Sequence, residues 1–99
     1  MTPIFKWNGE YFGFISNGCL FTARSTYVGW VDRGRVWRAN GSYLGEVVDE
    51  NYILRNIAMA TPASSAARAT PASPASPAAP ANRAARAAKT GWIDVLSGI

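Results

Sequence analysis

The sequence predicts an all-β protein: four β-hairpin repeats of sixteen residues, giving eight short antiparallel strands around a pseudo-four-fold axis. Apolar residues recur every sixteen positions, at Ile4, Leu20 and Val36, and an aromatic residue follows each of them. Turn signals of the Asn-Gly kind separate the apolar runs, and such dipeptides are the strongest short-range indication of a hairpin. A repeat at a fixed period indicates one structural unit used several times.

The spacing of the turns defines the strands. Asn8-Gly9, Asn17-Gly18 and Asn40-Gly41 tolerate the positive φ that type I′ turns require, and Arg33-Gly34 stands at an equivalent place. Between these turns lie short apolar runs of about five to seven residues, which is the usual length of a strand. The predicted strands are 3–7, 10–16, 19–23, 26–32, 35–39, 42–48, 52–55 and 90–95.

The fourth repeat is predicted to be interrupted. It begins at residues 53–56, and residues 90–94 then match residues 28–32 position for position. Insertions are best tolerated at exposed turns. We therefore expect one domain formed by residues 1–56 and 90–99, with residues 57–89 inserted at a turn, and we expect the two halves of the repeat to meet in space.

The inserted residues 57–89 differ in composition from the rest of the chain. They hold fifteen of the seventeen alanines and five of the six prolines, but no glycine and no aromatic residue. Such sequence is expected to be disordered or extended as polyproline II, with a short basic helix as an option for residues 81–89. Arg68, Arg83, Arg86 and Lys89 account for the net charge of +4. The segment is therefore a spacer or a contact for an acidic partner.

Pairing across the predicted turns gives the sheet two apolar faces, since side chains alternate along a strand. One face is predicted to carry Ile4, Tyr11, Ile15, Leu20, Tyr27, Val31, Val36 and Val47. The other is predicted to carry Phe5, Phe12, Phe14, Phe21, Val28, Trp30, Trp37 and Trp92. A solitary antiparallel sheet often keeps one face in water, so the second face is expected to contact a second copy or another protein.

Three repeats have a glycine inside a strand, at Gly13, Gly29 and Gly45. A glycine in this place weakens a strand unless something needs the room. A bend, a tyrosine ring lying over the backbone and the close approach of a ligand all remain open as explanations.

The residue types argue against catalysis. The chain has no histidine, the commonest general acid–base residue and metal ligand. The single cysteine, Cys19, has no candidate base and is expected to be small and half-buried. Asp32 and Asp94 occupy equivalent places in two repeats, but aspartates beside turns are usually solvated. We expect no enzyme activity, no metal and no cofactor.

A cluster of arginines and tryptophans marks one hairpin as a candidate site. Arginine beside aromatic rings suits phosphates, bases or carboxylates, whereas charge on an exposed hairpin edge also resists strand-to-strand aggregation. The predicted binding residues are Phe14, Phe21, Trp30, Arg33, Arg35, Trp37, Arg38 and Trp92.

The recurring Tyr-x-Gly-Trp-Val core resembles that of the small bacterial four-fold β-flower proteins. The resemblance covers residues 4–56 and 90–96 and rests on the recurrence rather than on any one copy. It implies a pseudo-four-fold ring of hairpins and implies no activity. The sequence departs from the pattern at Glu46, where the other repeats have Phe14, Trp30 and Trp92.

These features predict a non-catalytic binding or assembly module that self-associates or docks a protein partner through its aromatic face. The alternative is a binder of a small ligand (a nucleotide, a sugar or a quaternary ammonium) gripped by aromatic and arginine side chains. Neither a membrane nor a nucleic acid is expected as a partner, because no apolar run approaches the roughly 20 residues of a span and the charge outside the insertion is balanced. A reduced thiol and no apparent leader predict a cytoplasmic location.

Overall fold

The computed structural model of the protein describes residues 1–97 and residue 99, and within them it contains eight strands and no helix. The all-β prediction is therefore confirmed. The strands are β1 (Thr2–Phe5), β2 (Tyr11–Ser16), β3 (Cys19–Thr22), β4 (Tyr27–Asp32), β5 (Arg35–Arg38), β6 (Tyr43–Val48), β7 (Tyr52–Asn56) and β8 (Trp92–Asp94).

The strands form one up-and-down sheet that closes on itself. Each strand pairs with the next in the order β1 to β8, and β1 also lies parallel to β7 at Phe5 and Tyr52. At this closure the Phe5 amide donates to the Asn51 carbonyl at 2.8 Å. Seven strands thus make a closed, barrel-like sheet, and β8 is an additional strand on β7.

The two-residue turns set the hairpin registers. Asn17 and Gly18 have φ of +50° and +74°, and Arg33 and Gly34 have φ of +55° and +80°. Positive φ at both central residues is the mark of a type I′ turn, whose twist matches that of the strands. The partners predicted across these two turns, such as Val31 opposite Val36, are confirmed, whereas Phe5, predicted opposite Phe12 across the Asn8-Gly9 turn, pairs with Tyr11.

The predicted assignment of side chains to faces is wrong around three other turns, because the strand pair at each carries a β-bulge. Ile4 pairs with Gly13 but Phe5 pairs with Tyr11, so Phe12 is an extra residue in β2. A bulge sets two residues opposite one and shifts the alternation that follows. Tyr11 therefore shares a face with Phe5, and Phe12 turns to the face of Ile4. The same register shift recurs between β3 and β4 and between β5 and β6.

The inner face of the sheet is the hydrophobic core. The first residues of the units, Ile4, Leu20 and Val36, are fully buried there together with Ile53. Leu96, which follows β8, is also fully buried in this cluster. The remaining fully or partly buried members are Phe12, Leu44, Ile15, Val28, Val31, Val47 and Val95. The chain segment after β8 therefore fills the centre of the ring.

The strand glycines allow neighbouring hairpins to approach each other. A Cβ added at Gly29 would overlap the carbonyl oxygen of Trp37, and one added at Gly45 would lie 2.6 Å from the carbonyl oxygen of Leu54. The atoms nearest to an added Cβ at Gly29 belong to the backbone of Trp37 and Arg38. The backbone of the next strand fills this space, which is why a residue without Cβ is needed.

The expected meeting of residues 53–56 with residues 90–94 is confirmed, but in a different register. β7 and β8 are antiparallel, with Leu54 opposite Asp94 and Asn56 opposite Trp92. In the earlier hairpins the equivalent pairs each contain a tyrosine: Phe5 with Tyr11, Phe21 with Tyr27 and Trp37 with Tyr43. Leu54 pairs instead with Asp94, which therefore takes the place of the tyrosine. Trp92 therefore does not take the place of Trp30. Gly91 accordingly has open space around it, unlike Gly29.

We expect Gly29→Ala to lower the free energy of unfolding by about 3 kcal/mol, since a side chain forced against fixed backbone is a costly change. Gly34→Ala is the control. Gly34 has φ of +80° and nothing within 4 Å of an added Cβ, so its cost is the conformational one of about 1 kcal/mol. Urea unfolding followed by tryptophan fluorescence measures both, and equal losses would contradict the role given to Gly29.

Candidate functional site: the aromatic face and its strap

The outer side of the sheet is lined by rings in contact. Phe14 stacks on Phe21 with centroids 5.4 Å apart, and Phe5 meets Tyr11 edge-on at 5.7 Å. Ring pairs at such distances add to the free energy of burial. We call this surface the aromatic face. Its residues are Phe5, Trp7, Tyr11, Phe14, Phe21, Tyr27, Trp30, Trp37, Tyr43 and Tyr52.

Residues 61–89, which we call the strap, lie across the aromatic face. They contain neither helix nor strand, so the short helix considered for residues 81–89 is absent. The strap contacts turns on several sides of the sheet and ends beside β8. Its polar contacts join Thr61 to Arg55, Ser65 to Gly41, Arg68 to Asp32, Ser76 to Ser25, Arg83 to Gly9 and Arg86 to Trp7.

The strap is long enough to cross the whole molecule. A polyproline II chain rises about 3.1 Å per residue, so residues 62–89 span about 84 Å when extended. The molecule measures 36 × 35 × 21 Å. An extended strap is therefore longer than any dimension of the molecule and can reach turns on several sides of the sheet.

The strap has a period of three residues. All five of its prolines and all four of its basic residues fall on one register, spaced by multiples of three. That register consists of Pro62, Ser65, Arg68, Pro71, Pro74, Pro77, Pro80, Arg83, Arg86 and Lys89. Between residues 61 and 90, every residue that is not exposed belongs to it. Polyproline II has three residues per turn, so these side chains form a single row that faces the sheet.

The basic residues of this row lie over aromatic rings. The Arg68 guanidinium is 4.8 Å from the centre of a Trp30 ring, and that of Arg83 is 4.2 Å from the centre of the Phe5 ring. Arg86 lies over Trp7, and Lys89 over Trp92, at 4.6 and 5.6 Å. A cation over a ring face is attracted by the ring quadrupole. Four cations, each over at least one ring, are thus distributed along the strap.

Two of the same arginines also meet acids of the domain. Arg68 approaches Asp32 at 3.7 Å, and Arg86 approaches Asp49 at 2.7 Å. The strap carries four bases and no acid, while the rest of the chain has six of each. The acidic contact considered for the insertion is therefore present within the chain itself.

The predicted arginine cluster divides between the two sides of the sheet. Arg33, Arg35 and Arg38 are exposed. Arg35 is paired in register with Glu46. Arg38 instead lines an open cavity of about 350 Å³ with Thr26, Tyr27, Asn40 and other residues. The cation that lies over the Trp30 ring is instead Arg68 of the strap.

The predicted aromatic residues lie beneath or beside the strap. Phe14 and Trp30 are only 1 % exposed. Phe21 lines a cavity of about 140 Å³ with Cys19, Pro71 and Pro74. Trp37 is half-buried and meets Tyr43 edge-on. Further along the rim, Trp92 is half-buried under Lys89.

Two polar groups on this face are buried without a described partner, the Trp30 indole N–H and the Tyr43 hydroxyl. Burial raises the pKa of Tyr43, the Glu46 carboxylate raises it further, and Arg35 and Arg55 oppose the change. Burial also raises the pKa of Tyr11 and of Tyr27. Folding therefore favours the neutral form of Tyr11, Tyr27 and Tyr43.

Asp32 and Asp94 have separate structural partners. Asp32 faces Arg68 of the strap. Asp94 accepts hydrogen bonds from the backbone amides of Trp7 and Leu96 and from the Ser97 hydroxyl. Its carboxylate therefore ties β8 to the start of the chain.

Sequence reasoning missed the residues that hold the strap. Trp7 and Tyr52 fall outside the positions compared between repeats, and Leu96 lies beyond the last predicted strand. The arginines of the insertion were recognised only as charge. Their three-residue spacing with the prolines was a signal available in the sequence.

The fold and this surface define a small all-β ring of hairpins with a covered aromatic side. The chain belongs to the family described as 4-fold beta flower protein, whose model matches residues 2–94, as the resemblance in the sequence indicated. No curated protein and no solved structure matches the chain. Among the residues described there is no helix long and apolar enough to cross a membrane.

Tyr43→Phe is expected to raise the free energy of unfolding by about 1 kcal/mol, because it removes a buried hydroxyl that has no partner. Tyr11→Phe is the matched control, since the Tyr11 side chain is only half-buried, and it should change stability by less than about 0.5 kcal/mol. Urea midpoints provide the comparison. A loss of stability in Tyr43→Phe would mean that its hydroxyl has a partner.

Stability is expected to fall in alkali. The folded pKa values of Tyr11, Tyr27 and Tyr43 are raised, so folding favours the neutral phenols. That contribution is complete below the unfolded pKa of about 10 and is lost as the pH rises from there through the folded values. Urea midpoints between about pH 8 and pH 11 test this, and a variant with all three tyrosines changed to phenylalanine should show a weaker decline.

Proposed function

We propose that the protein is a non-catalytic binding and assembly module whose partner docks on the aromatic face after the strap has moved away. The observation that supports this is the cover of that face: a segment without helix or strand, whose half-buried residues all fall at every third position. The docked strap and the docked partner are alternatives for one surface. In the absence of a partner the strap keeps the rings out of water.

The contacts of the strap suit such an exchange, because each of them is weak. A cation–π contact at an exposed site contributes about 0.5–1 kcal/mol, and a surface ion pair about 0–1 kcal/mol. Fixing the backbone of each residue costs about 1–2 kcal/mol in the other direction, although proline reduces that cost. The strap is therefore bound by many small terms, and a partner displaces it without breaking strand pairing.

The proposal includes a repeat interpretation of the fold. We propose four hairpin units, with the fourth interrupted by an insertion at residues 57–89. Ile53 lies in the core beside Ile4, Leu20 and Val36, as the first residue of a fourth unit should. The pairing of β7 with β8 supports the same interpretation. Under this interpretation, β8 pairs in a different register from the earlier hairpins because a long segment, rather than a tight turn, joins it to β7.

A second copy of the chain and a different protein are both suitable partners under this proposal. An uncovered face that carries Phe14, Phe21 and Trp30 exceeds what a soluble monomer normally exposes. Self-association of a chain whose strap has been disabled is therefore the direct test.

Binding of a small ligand remains the second candidate. The open cavity of about 350 Å³ beside Arg38 supports it, since Tyr27 and Asn40 add a ring and an amide to the arginine. This cavity is separate from the strap. A ligand there would leave the aromatic face covered.

The test replaces residues 62–86 of the full chain by a glycine–serine segment of equal length. This change should uncover the rings, because none of the prolines and arginines of that stretch remains. We expect the variant to form dimers or larger species at micromolar concentration in sedimentation velocity, while the natural chain sediments as a monomer.

The matched control keeps the row that faces the sheet. It retains Asn82 and every third residue from Pro62 to Arg86, and it changes only the other residues of that stretch to glycine or serine. This variant should remain monomeric, since the contacts belong to the retained residues. A folded glycine–serine variant that also remains monomeric would count against the docking face.

A further inference from the structure

We infer that the corner of the aromatic face formed by Phe5, Trp7 and Tyr52 is a recognition site for an extended Arg-x-x-Arg segment. Arg83 and Arg86 occupy this site from within the chain. The inference rests on the proposed function and names the chemistry of the partner: a peptide in polyproline II conformation with two arginines three residues apart.

Arg86 is held from several sides at this corner. Its guanidinium lies 4.6 Å from the centre of a Trp7 ring and 5.1 Å from that of Tyr52. Nη1 donates to Asp49 Oδ2 at 2.7 Å. A planar cation between rings, with a carboxylate at its edge, is an arrangement that suits guanidinium better than ammonium. The corner thus selects arginine at this position.

Arg83 fills the neighbouring place. Its guanidinium lies 4.2 Å from the centre of the Phe5 ring and 5.9 Å from that of Tyr52. Nη1 is 3.4 Å from Asn51 Oδ1. Tyr52 therefore lies between the two cations and is shared by them. With both cations in place that ring is 5 % exposed.

Backbone hydrogen bonds set the spacing of the two arginines. The Arg83 amide donates to the Gly9 carbonyl at 2.8 Å, and the Arg86 amide donates to the Trp7 carbonyl at 3.0 Å. Trp7 Nε1 donates in turn to the Ala87 carbonyl at 2.8 Å. Amides three residues apart that donate to the domain fit an extended three-fold backbone, and this part of the strap contains neither helix nor strand. The site therefore selects for an extended backbone as well as for positive charge.

The turn at Gly9 is shaped to receive this backbone. Gly9 has φ of +94°, and a Cβ added there would overlap the carbonyl oxygen of Arg83. Close by, the Tyr11 amide donates to Asn82 Oδ1 at 3.0 Å. Six polar contacts thus join residues 82–87 to the domain, whereas residues 69–81 make one, between Ser76 and Ser25. This concentration of contacts marks the corner as the specific part of the face.

The strap competes with any outside segment because it is tethered. A tethered ligand acts at an effective concentration of the order of millimolar. A peptide added to the natural chain therefore encounters an occupied site. Arg83→Gln together with Arg86→Gln weakens the internal occupant and leaves the rings, Asp49 and Gly9 unchanged.

The experiment measures fluorescence anisotropy with a labelled synthetic peptide that has the sequence of residues 80–89. We expect the full-length double variant to bind it at least ten-fold more tightly than the natural chain. A peptide of the same composition with its arginines two residues apart should bind at least ten-fold more weakly. Asp49→Asn in the double variant should also reduce binding several-fold, with no change in the urea midpoint.

Equal binding of the two peptides, or no binding to the double variant, would overturn the inference. The glycine–serine chain separates this outcome from a failure of the proposed function. If that chain self-associates and yet neither peptide binds the double variant, the aromatic face still docks a partner and only the Arg-x-x-Arg chemistry is wrong.

Discussion

The requirement to cover two apolar faces with a single chain of 99 residues governs the structure. The inner face closes on itself, because the seven-strand ring brings Ile4, Leu20, Val36 and Ile53 together and Leu96 fills the remaining space. The outer face has no second sheet to pack against. The strap covers it with a low-complexity sequence, because the half-buried residues of the strap all fall at every third position.

The positions of the strands were predictable because turn chemistry and repeat length agree. Residues such as Asn17 and Gly18 need no tertiary context to form a tight turn. The faces were not predictable by the same means. A bulge adds one residue to a strand, and here the added residues, Phe12 and Val28, are as apolar as their neighbours. Simple alternation therefore placed the tyrosines on the wrong side.

The candidate site was predicted in part. The aromatic residues Phe14, Phe21 and Trp30 follow from the repeat, whereas the strap cations do not, because composition alone classes residues 57–89 as low-complexity. Trp7 and Tyr52 were missed for a different reason. Each interrupts the sixteen-residue pattern, and their meeting depends on the closure of β1 against β7, which only the folded ring brings about.

The three-residue period of the strap also constrains how its length can change. Adding or removing a single residue rotates everything beyond it by about 120° about the polyproline axis, so the later arginines would point to solvent. A change of three residues keeps the later side chains on the same side of the polyproline axis and alters only the length of the strap. Insertions and deletions in this segment should therefore come in multiples of three residues, because only these keep the later arginines directed at the sheet.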